Sequence, residues 1–296
     1  MFGFLNLNKP LQWTSHDCVG KVRRLFKLRK VGHGGTLDPL ATGVLPIAVG
    51  QATRLLPYLP SAKRYQAVVR FGLQTDSDDL AGKVIADQSA DHLTLEMIKA
   101  ELPQFLGKIR QIPPQYSAIQ VDGKRLYQLA RAGIACDVPS REVEIFKLHI
   151  LHWRSGDKPE LTLTVDCGEG TYIRALARDL GDRLGVGATL AGLDRQLSGG
   201  MEIGQSITVD ELQTVMDRQN PPPLLPPNQV LAHLPPVILA PDLTKRWYRG
   251  QRLLMPDLPL GIVRVEDSQQ TCLGIAMVTA EDQGTVLRPK VVLGEN

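Results

Sequence analysis

The sequence predicts a mixed α/β protein that closes with a small β-rich module. Three observations carry that expectation. Apolar and polar residues alternate in several runs between Tyr65 and Cys167, helical apolar stripes lie on either side of those runs, and a proline-crowded segment separates them from further strand-like runs. The chain has 296 residues, 43% of them hydrophobic, which suits one large domain or two unequal ones around a sizeable core.

The opening MFGFLNLNKP has neither a basic start nor a sustained apolar run, and no later stretch offers about 18 uncharged apolar residues in a row. The expectation is therefore a cytoplasmic protein, neither secreted nor membrane-spanning. TSHDCVGKVRRLFKL follows as a helix, with Val19, Val22, Leu25 and Phe26 at helical spacing and Thr14 and Ser15 as candidate N-caps. Its other face is basic. Lys21, Arg23, Arg24, Lys27, Arg29 and Lys30 form the densest positive run in the chain, read either as a solvated face or as a phosphate-contacting patch. A net charge of +3 permits an RNA partner without requiring one.

From Tyr65, YQAVVRFGL alternates as a strand, and TDSDDLAGKVI reads as a polar turn and a second strand of the same sheet. A helix is expected around Leu93 to Leu106. QIPPQYSAIQVDGKRLYQLARAG then reads as irregular chain, a strand, a tight turn at Asp122 and Gly123, and a helix. EVEIFKLHIL and ELTLTVDCG are two more strands. TYIRALARDLGDRLG is a helix whose stripe is Ile173, Leu176, Ala177, Leu180 and Leu184, with Gly185 as its stop. Proline crowding around residues 220–236 removes backbone donors and fixes φ, so regular structure is not expected to cross it. The expected divisions are a domain over 1–220, a proline-rich linker over 221–236 and a module over 237–296. In the last, GIVRVED, CLGIAMVTA and KVVLG read as short strands.

Cys18, Cys136, Cys167 and Cys272 lie far apart, without a CxxC pair or a histidine at zinc-finger spacing. Neither a zinc site nor a dense disulfide framework is expected.

The chemistry points to VGHGGTLDPLATGVLPIAVGQATR. Glycines at 32, 34, 35 and 43 suggest a loop that approaches something closely, with one carboxylate, Asp38, inside it. No GK[ST] follows the glycines and no G-x-G-x-x-G or G-x-S-x-G is present, which sets aside nucleotide-loop and serine-hydrolase readings. Taken alone, Asp38 followed by Pro39 also reads as a helix N-cap and first helical residue, and His33 as a turn residue.

GHGGTLDPLATGVLPIAVG resembles the signature of the TruB-type pseudouridine synthases. The resemblance continues, in the family's order, through KPLQWTS, KRYQ, PPQYSAIQVDGKRLYQLARAG and GTYIRALARDLG. The C-terminal RWYRGQ, LGIA and LRPKVVL resemble the PUA-type RNA-binding module that follows this catalytic domain. The resemblance implies a mixed α/β catalytic domain around a largely antiparallel sheet, then a small β module. It implies a tRNA pseudouridine synthase acting on the T-loop uridine at position 55, with tRNA through its T-arm as partner. No cofactor, metal or obligate protein partner is implied.

Carried across residue by residue, Asp38 matches the catalytic aspartate, Tyr172 the tyrosine near the reacting ring, and Arg174 the arginine that pairs with the aspartate. Tyr65 matches the aromatic that stacks on the target base, although it also reads as core. Leu193 corresponds to an apolar residue lining the uracil pocket, His33 to a histidine contacting the RNA loop, and Lys9 and Pro10 to a KP element supporting the site. Lys21, Arg23, Arg24 and Lys27 are the candidates for RNA backbone contact. Three positions depart from the pattern: Gly34 stands for Thr or Ser, Gln12 for Gly and Gln120 for Lys. Two alternatives stay open, the same chemistry on another RNA through a guide complex and an RNA chaperone that only binds. A purely binding protein would not require this carboxylate and arginine together.

Overall fold

The computed structural model describes residues 1–116, 120–121, 124–125, 138–282 and 284–294, with backbone only at the two short pairs. In chain order the elements are β1 (Gly3–Lys9), α1 (Ser15–Phe26), β2 (Val31–His33), β3 (Ala41–Val49), β4 (Lys63–Phe71), β5 (Leu73–Thr75) and β6 (Val84–Asp87). There follow α2 (Leu95–Glu101), β7 (Gly107–Gln111), β8 (Gln120–Val121), β9 (Lys124–Arg125), β10 (Arg141–Arg154), β11 (Glu160–Cys167), α3 (Ile173–Arg183), β12 (Ala188–Ser198), β13 (Met201–Glu202) and β14 (Ile207–Thr208). The chain ends with α4 (Val209–Asp217), α5 (Pro227–Val230), β15 (Pro236–Ile238), α6 (Pro241–Tyr248), β16 (Leu253–Met255), β17 (Gly261–Glu266), β18 (Cys272–Glu281) and β19 (Gly284–Val292). These elements form two compact units, one of residues 1–60 with 197–296 and one of residues 61–196.

In the first unit β3 lies antiparallel to both β1 and β2, and β1 runs parallel to β14. Thr14 caps α1 and forms a capping box with Asp17, so two of the orphan donors at the helix start are satisfied. The helix turns Val19, Val22 and Phe26 inward and stops at Lys27, whose left-handed φ of 53° ends the helical hydrogen bonding. Residues from both ends of the chain share one apolar cluster, including Phe4, Val44, Leu55, Leu231, Ile275 and Val291. The C-terminal strands form a five-stranded sheet in the order β15-β17-β18-β19-β16 around a cluster of their own that includes Trp247, Val263, Val265 and Leu287. Trp247 is fully buried, and its indole nitrogen donates to the Leu273 carbonyl at 3.0 Å, so its one polar atom is satisfied.

The proline-rich stretch is more regular than its composition predicts. Phe4 and Leu225 exchange both backbone hydrogen bonds, at 2.9 and 2.7 Å, and α5 makes one helical turn. Proline costs a donor only at its own nitrogen, so the leucines and valine between prolines still pair.

In the second unit the strand order is β12-β4-β11-β10-β7, and the pairings of β4, β7, β10 and β11 are antiparallel. Tyr65 stands opposite Val165, Ala67 opposite Leu163 and Val69 opposite Leu161. Cross-strand partners share a face, so this alternation builds one buried layer from two strands. On α3 Ile173, Leu176, Ala177 and Leu180 are buried as the stripe predicts, and Gly185 (φ 72°) follows its end. Parallel pairing joins β1 with β14 and β15 with β17, while β1–β3, β2–β3, β4–β11, β10–β11, β7–β10, β17–β18, β18–β19 and β16–β19 pair antiparallel, so the sheets are largely antiparallel.

Two expectations are corrected. The strand after TDSDD does not extend the sheet of β4; β6 pairs with β5 in a separate two-stranded ribbon, because Gly72 (φ 77°) turns the chain out of β4 first. The helix expected to reach Leu106 ends at Glu101 and passes into a short 3-10 turn over Leu102–Phe105, since Pro103 cannot continue the helical bonding. The turn at Asp122 and Gly123 and the helix after it lie outside the described residues, as does Cys136. Cys18, Cys167 and Cys272 are buried free thiols.

Candidate active site

The sequence-predicted residues fall into two sets, one in each unit, and each set is built by its own local logic. In the first unit β2 and β3 are paired through His33 and Ile47, and Gly34 extends the pairing by donating to the Pro46 carbonyl at 2.8 Å. Gly35 then takes φ 134°, a backbone that residues with a Cβ rarely adopt, and releases the chain toward Leu37 and Asp38. Asp38 caps no helix. Ala41 donates to the Asp38 carbonyl at 3.0 Å, closing a β-turn over Pro39 and Leu40 that feeds directly into β3. Asp at the first turn position and Pro at the second are the residues such a turn favours, which is why the same dipeptide mimics a helix start in sequence.

Residues on both sides of Asp38 are tied to the segment 9–15. Lys9 is fully buried, and its ammonium donates to the carbonyls of Pro10 (2.9 Å), Trp13 (2.7 Å) and Pro39 (3.5 Å). A buried ammonium needs such acceptors, so the lysine gathers three backbone oxygens around itself. The Gln12 backbone N–H also donates to the Pro39 carbonyl, at 2.8 Å. On the other side the buried Ser15 hydroxyl accepts from Leu37 N at 2.9 Å and donates to Leu37 O at 3.2 Å. Pro10 is half-buried beside this anchor.

The two departures in this unit have structural consequences. Gln12 sits at φ 65°, the left-handed conformation that a glycine adopts without strain. A Cβ at Gly34 would lie 2.7 Å from a Leu59 methyl and 3.3 Å from Pro46, so this chain fills with Leu59 the space that Thr or Ser would need. His33 is half-buried, and its ring meets that of His16 edge-on, with centroids 5.5 Å apart and planes at 79°.

The basic run divides. Lys21 donates to Gln213 at 2.6 Å and Arg23 to the Val31 carbonyl at 3.0 Å, both structural contacts. Arg23, Arg24, Lys27, Arg29 and Lys30 are exposed.

In the second unit Arg174 and Tyr172 open α3. Arg174 is 5% exposed; its guanidinium donates to the carbonyls of Ser77 and Tyr116, each at 3.0 Å, and lies 3.5 Å from the Asp79 carboxylate. Tyr172 is the N-cap residue, half-buried, and its backbone is gripped twice by the Gln111 amide, at 3.1 and 3.3 Å. Tyr65 is 7% exposed on the inward face of β4. Leu193 is half-buried on β12, next to Gly192, whose missing side chain brings Val68 within 3.4 Å of its Cβ position.

Asp79 and Gln111 were not singled out in sequence. TDSDD reads as a surface turn, and GKIRQ as the end of a strand; the available signal was a carboxylate run followed later by Arg174 and Arg178 at helical i, i+4 spacing. That spacing is used. Arg178, one turn beyond Arg174, holds Asp78 at 2.8 Å. Burial pushes the Asp78 carboxyl up to about 6, with Arg178 and Arg174 pulling the other way.

A carboxyl raised in the folded state favours folding below its unfolded value, near 4, and that contribution is lost as pH rises through about 6. Asp78→Asn is therefore expected to gain on the wild type by about 1–3 kcal/mol in urea-unfolding free energy between pH 4 and pH 6.5. Parallel stability curves across that window would remove the assignment.

The family model described as TruB family pseudouridylate synthase, N-terminal domain, matches residues 23–173, and that of the TruB C-terminal region matches residues 235–293. A tRNA pseudouridine synthase B from Synechocystis is 65% identical across 99% of this chain and 100% of its own length. One from Gloeothece citriformis is 52% identical across 99% and 97%. Among solved structures, a chain of an H/ACA RNP bound to a substrate RNA containing 2'-deoxyuridine superposes with a TM-score of 0.75 at 23% identity, covering 99% of this chain and 86% of the other. At that identity the likeness is one of fold.

Proposed function

The chain belongs to the TruB family of pseudouridylate synthases, and from that premise we propose that it isomerises the T-loop uridine at position 55 of tRNA, with Asp38 as the essential carboxylate. The observation that carries the reading is the placement of Asp38, one carboxylate in a glycine-rich turn whose two flanking residues are each tied down by other parts of the chain. The substrate follows from full-length relatives named tRNA pseudouridine synthase B.

Pseudouridine formation breaks the bond from ribose C1′ to uracil N1, turns the detached base, and rejoins C1′ to C5, with C5 giving up its proton and N1 taking one. The carboxylate acts as nucleophile or as base for a ribose proton, and both roles need its ionised form. In the family's pattern Arg174 is the arginine that pairs with the aspartate, and here its guanidinium is held by the carbonyls of Ser77 and Tyr116. The uridine must leave the loop's stack, at a cost of a few kcal/mol. Stacking on Tyr65 offsets about 1–3 kcal/mol of it. Tyr172 lies at the reacting ring, Leu193 lines the uracil pocket, His33 contacts the RNA loop, and Lys9 and Pro10 support the turn that carries Asp38. The division into a catalytic part over 1–220, a linker over 221–236 and an RNA-binding module over 237–296 is supported by the separate core of the C-terminal sheet and by the family's C-terminal match from residue 235. The setting we propose is the cytoplasm, where tRNA is modified; among the described residues no helix is long and apolar enough to cross a membrane.

The exposed basic residues around the end of α1 supply phosphate contacts. RNA stem-loops are recognised largely through backbone and shape, and each neutralised phosphate adds to the salt dependence of binding. Replacing Arg23, Arg24 and Lys27 together by Ala is expected to weaken tRNA binding and lower the slope of log K against log salt by about 1–2. An unchanged slope assigns these residues to solvation only.

The substrate reading is tested with the purified chain and an isolated T-arm hairpin transcript. Conversion of its loop uridine without guide RNA or added protein is the expected result. Conversion of whole tRNA alone would show that the T-arm does not suffice, and conversion only with a guide RNA would replace the reading.

A further inference from the structure

We propose that Ser15 is a positioning residue for the reaction, holding the main chain immediately before Asp38 through both polar groups of Leu37. The inference rests on the reading of Asp38 as the reacting carboxylate. Ser15 is the first residue of α1 and 2% exposed; Leu37 is 4% exposed. A hydroxyl can donate once and accept twice, and here it does one of each to a single residue, accepting from Leu37 N at 2.9 Å and donating to Leu37 O at 3.2 Å. This is the hydrogen-bond pattern of a strand partner, supplied by one side chain 22 residues earlier in the chain. It fixes the orientation of the peptide groups on both sides of Leu37, and the second of those groups is the one that begins Asp38.

Capping α1 does not explain it. Thr14 is the N-cap, and its side chain and that of Asp17 complete the capping box, so the Ser15 hydroxyl is spent on the loop rather than on the helix. On the far side of Asp38 the Pro39 carbonyl takes the Gln12 backbone N–H at 2.8 Å and the Lys9 ammonium at 3.5 Å. The carboxylate is thus suspended between two anchors that both originate in residues 9–15. α1, seated by its own apolar face, is the rigid body to which the reacting loop is referred. Misplacing a reacting group by about an ångström costs on the order of 10²-fold in rate, which is the scale on which such an anchor acts.

The test compares wild type, Ser15→Ala, Ser15→Thr, Ser15→Cys and Asp38→Asn in the full chain. Single-turnover rate at saturating tRNA transcript, tRNA Kd by filter binding, and thermal melting are measured for each. The expected result is a cooperative melt for Ser15→Ala, a Kd within about threefold of wild type, and a rate lower by roughly 10- to 100-fold. Ser15→Thr, which keeps the hydroxyl, recovers most of that rate. If Ser15→Ala does not fold, Ser15→Cys carries the comparison, since its thiol is similar in shape but a weak donor and acceptor. A rate within threefold of wild type in the folded Ala or Cys variant overturns the proposal. So does a loss that appears in Kd or in folded fraction alone. An active Asp38→Asn would instead overturn the reading of Asp38, and the two failures are read from different variants.

Discussion

Asp38→Asn is expected to abolish isomerisation while leaving the fold and tRNA binding in place. The amide is the same size and shape as the carboxylate, and the turn that carries it is closed by backbone groups of Asp38 and Ala41 rather than by the side chain alone. Lys9, Ser15 and Gln12 hold the flanking residues through backbone atoms that the substitution does not touch. What is lost is negative charge and basicity, which both a nucleophile and a general base require. The rate is expected to fall by at least about 10³-fold, the scale for removing a group that acts in the chemical step. Single-turnover tritium release from C5-labelled tRNA measures it directly. A variant within tenfold of wild type would show that this carboxylate is not the reacting group.

Arg174→Ala has the second large effect, and it is expected on stability as well as on rate. The guanidinium is buried, charges the site beside Asp79, and satisfies the carbonyls of Ser77 and Tyr116. Removing it strands two backbone acceptors and leaves a buried carboxylate without that neighbour, which costs about 3–5 kcal/mol. Thermal melting should drop by roughly 10 °C, at a few degrees per kcal/mol for a unit of this size. Arg174→Lys should recover only part of the loss, because one ammonium cannot reproduce the planar fork that reaches Ser77, Tyr116 and Asp79 together. Equal melting temperatures for wild type and Arg174→Ala would refute the seat assigned to this side chain.

The loop that carries Asp38 is legible because its glycines and its carboxylate sit in one unbroken stretch, where spacing carries the information. Asp38 was still ambiguous on local grounds. A helix N-cap and a β-turn start use the same Asp-Pro pair, and only the strand that follows, Ala41–Val49, resolves it. The inward face of β4 was readable from strict alternation, and the stripe of α3 from its helical period. What escaped were contacts that are local in space and remote in sequence. Asp79 lies 95 positions before Arg174 in a run that looks like a solvated turn, yet it is 8% exposed. Gln111 reaches Tyr172 across 61 positions. Alternation predicts β6 as a strand but not its partner, and Gly72 turns the chain out of β4 before β6 forms with β5. Lys9, expected to support the site, is fully buried, and its ammonium ties the KP element to the Pro39 carbonyl next to Asp38.

The central claim is tested most directly by incubating an unmodified tRNA transcript with wild-type chain and with Asp38→Asn, then mapping pseudouridine by a base-specific adduct that stops reverse transcription. The account predicts a single stop at T-loop position 55 with wild type and none with the variant at undiminished tRNA binding. A stop that persists with Asp38→Asn, or tight binding by both proteins with no stop anywhere, would contradict it.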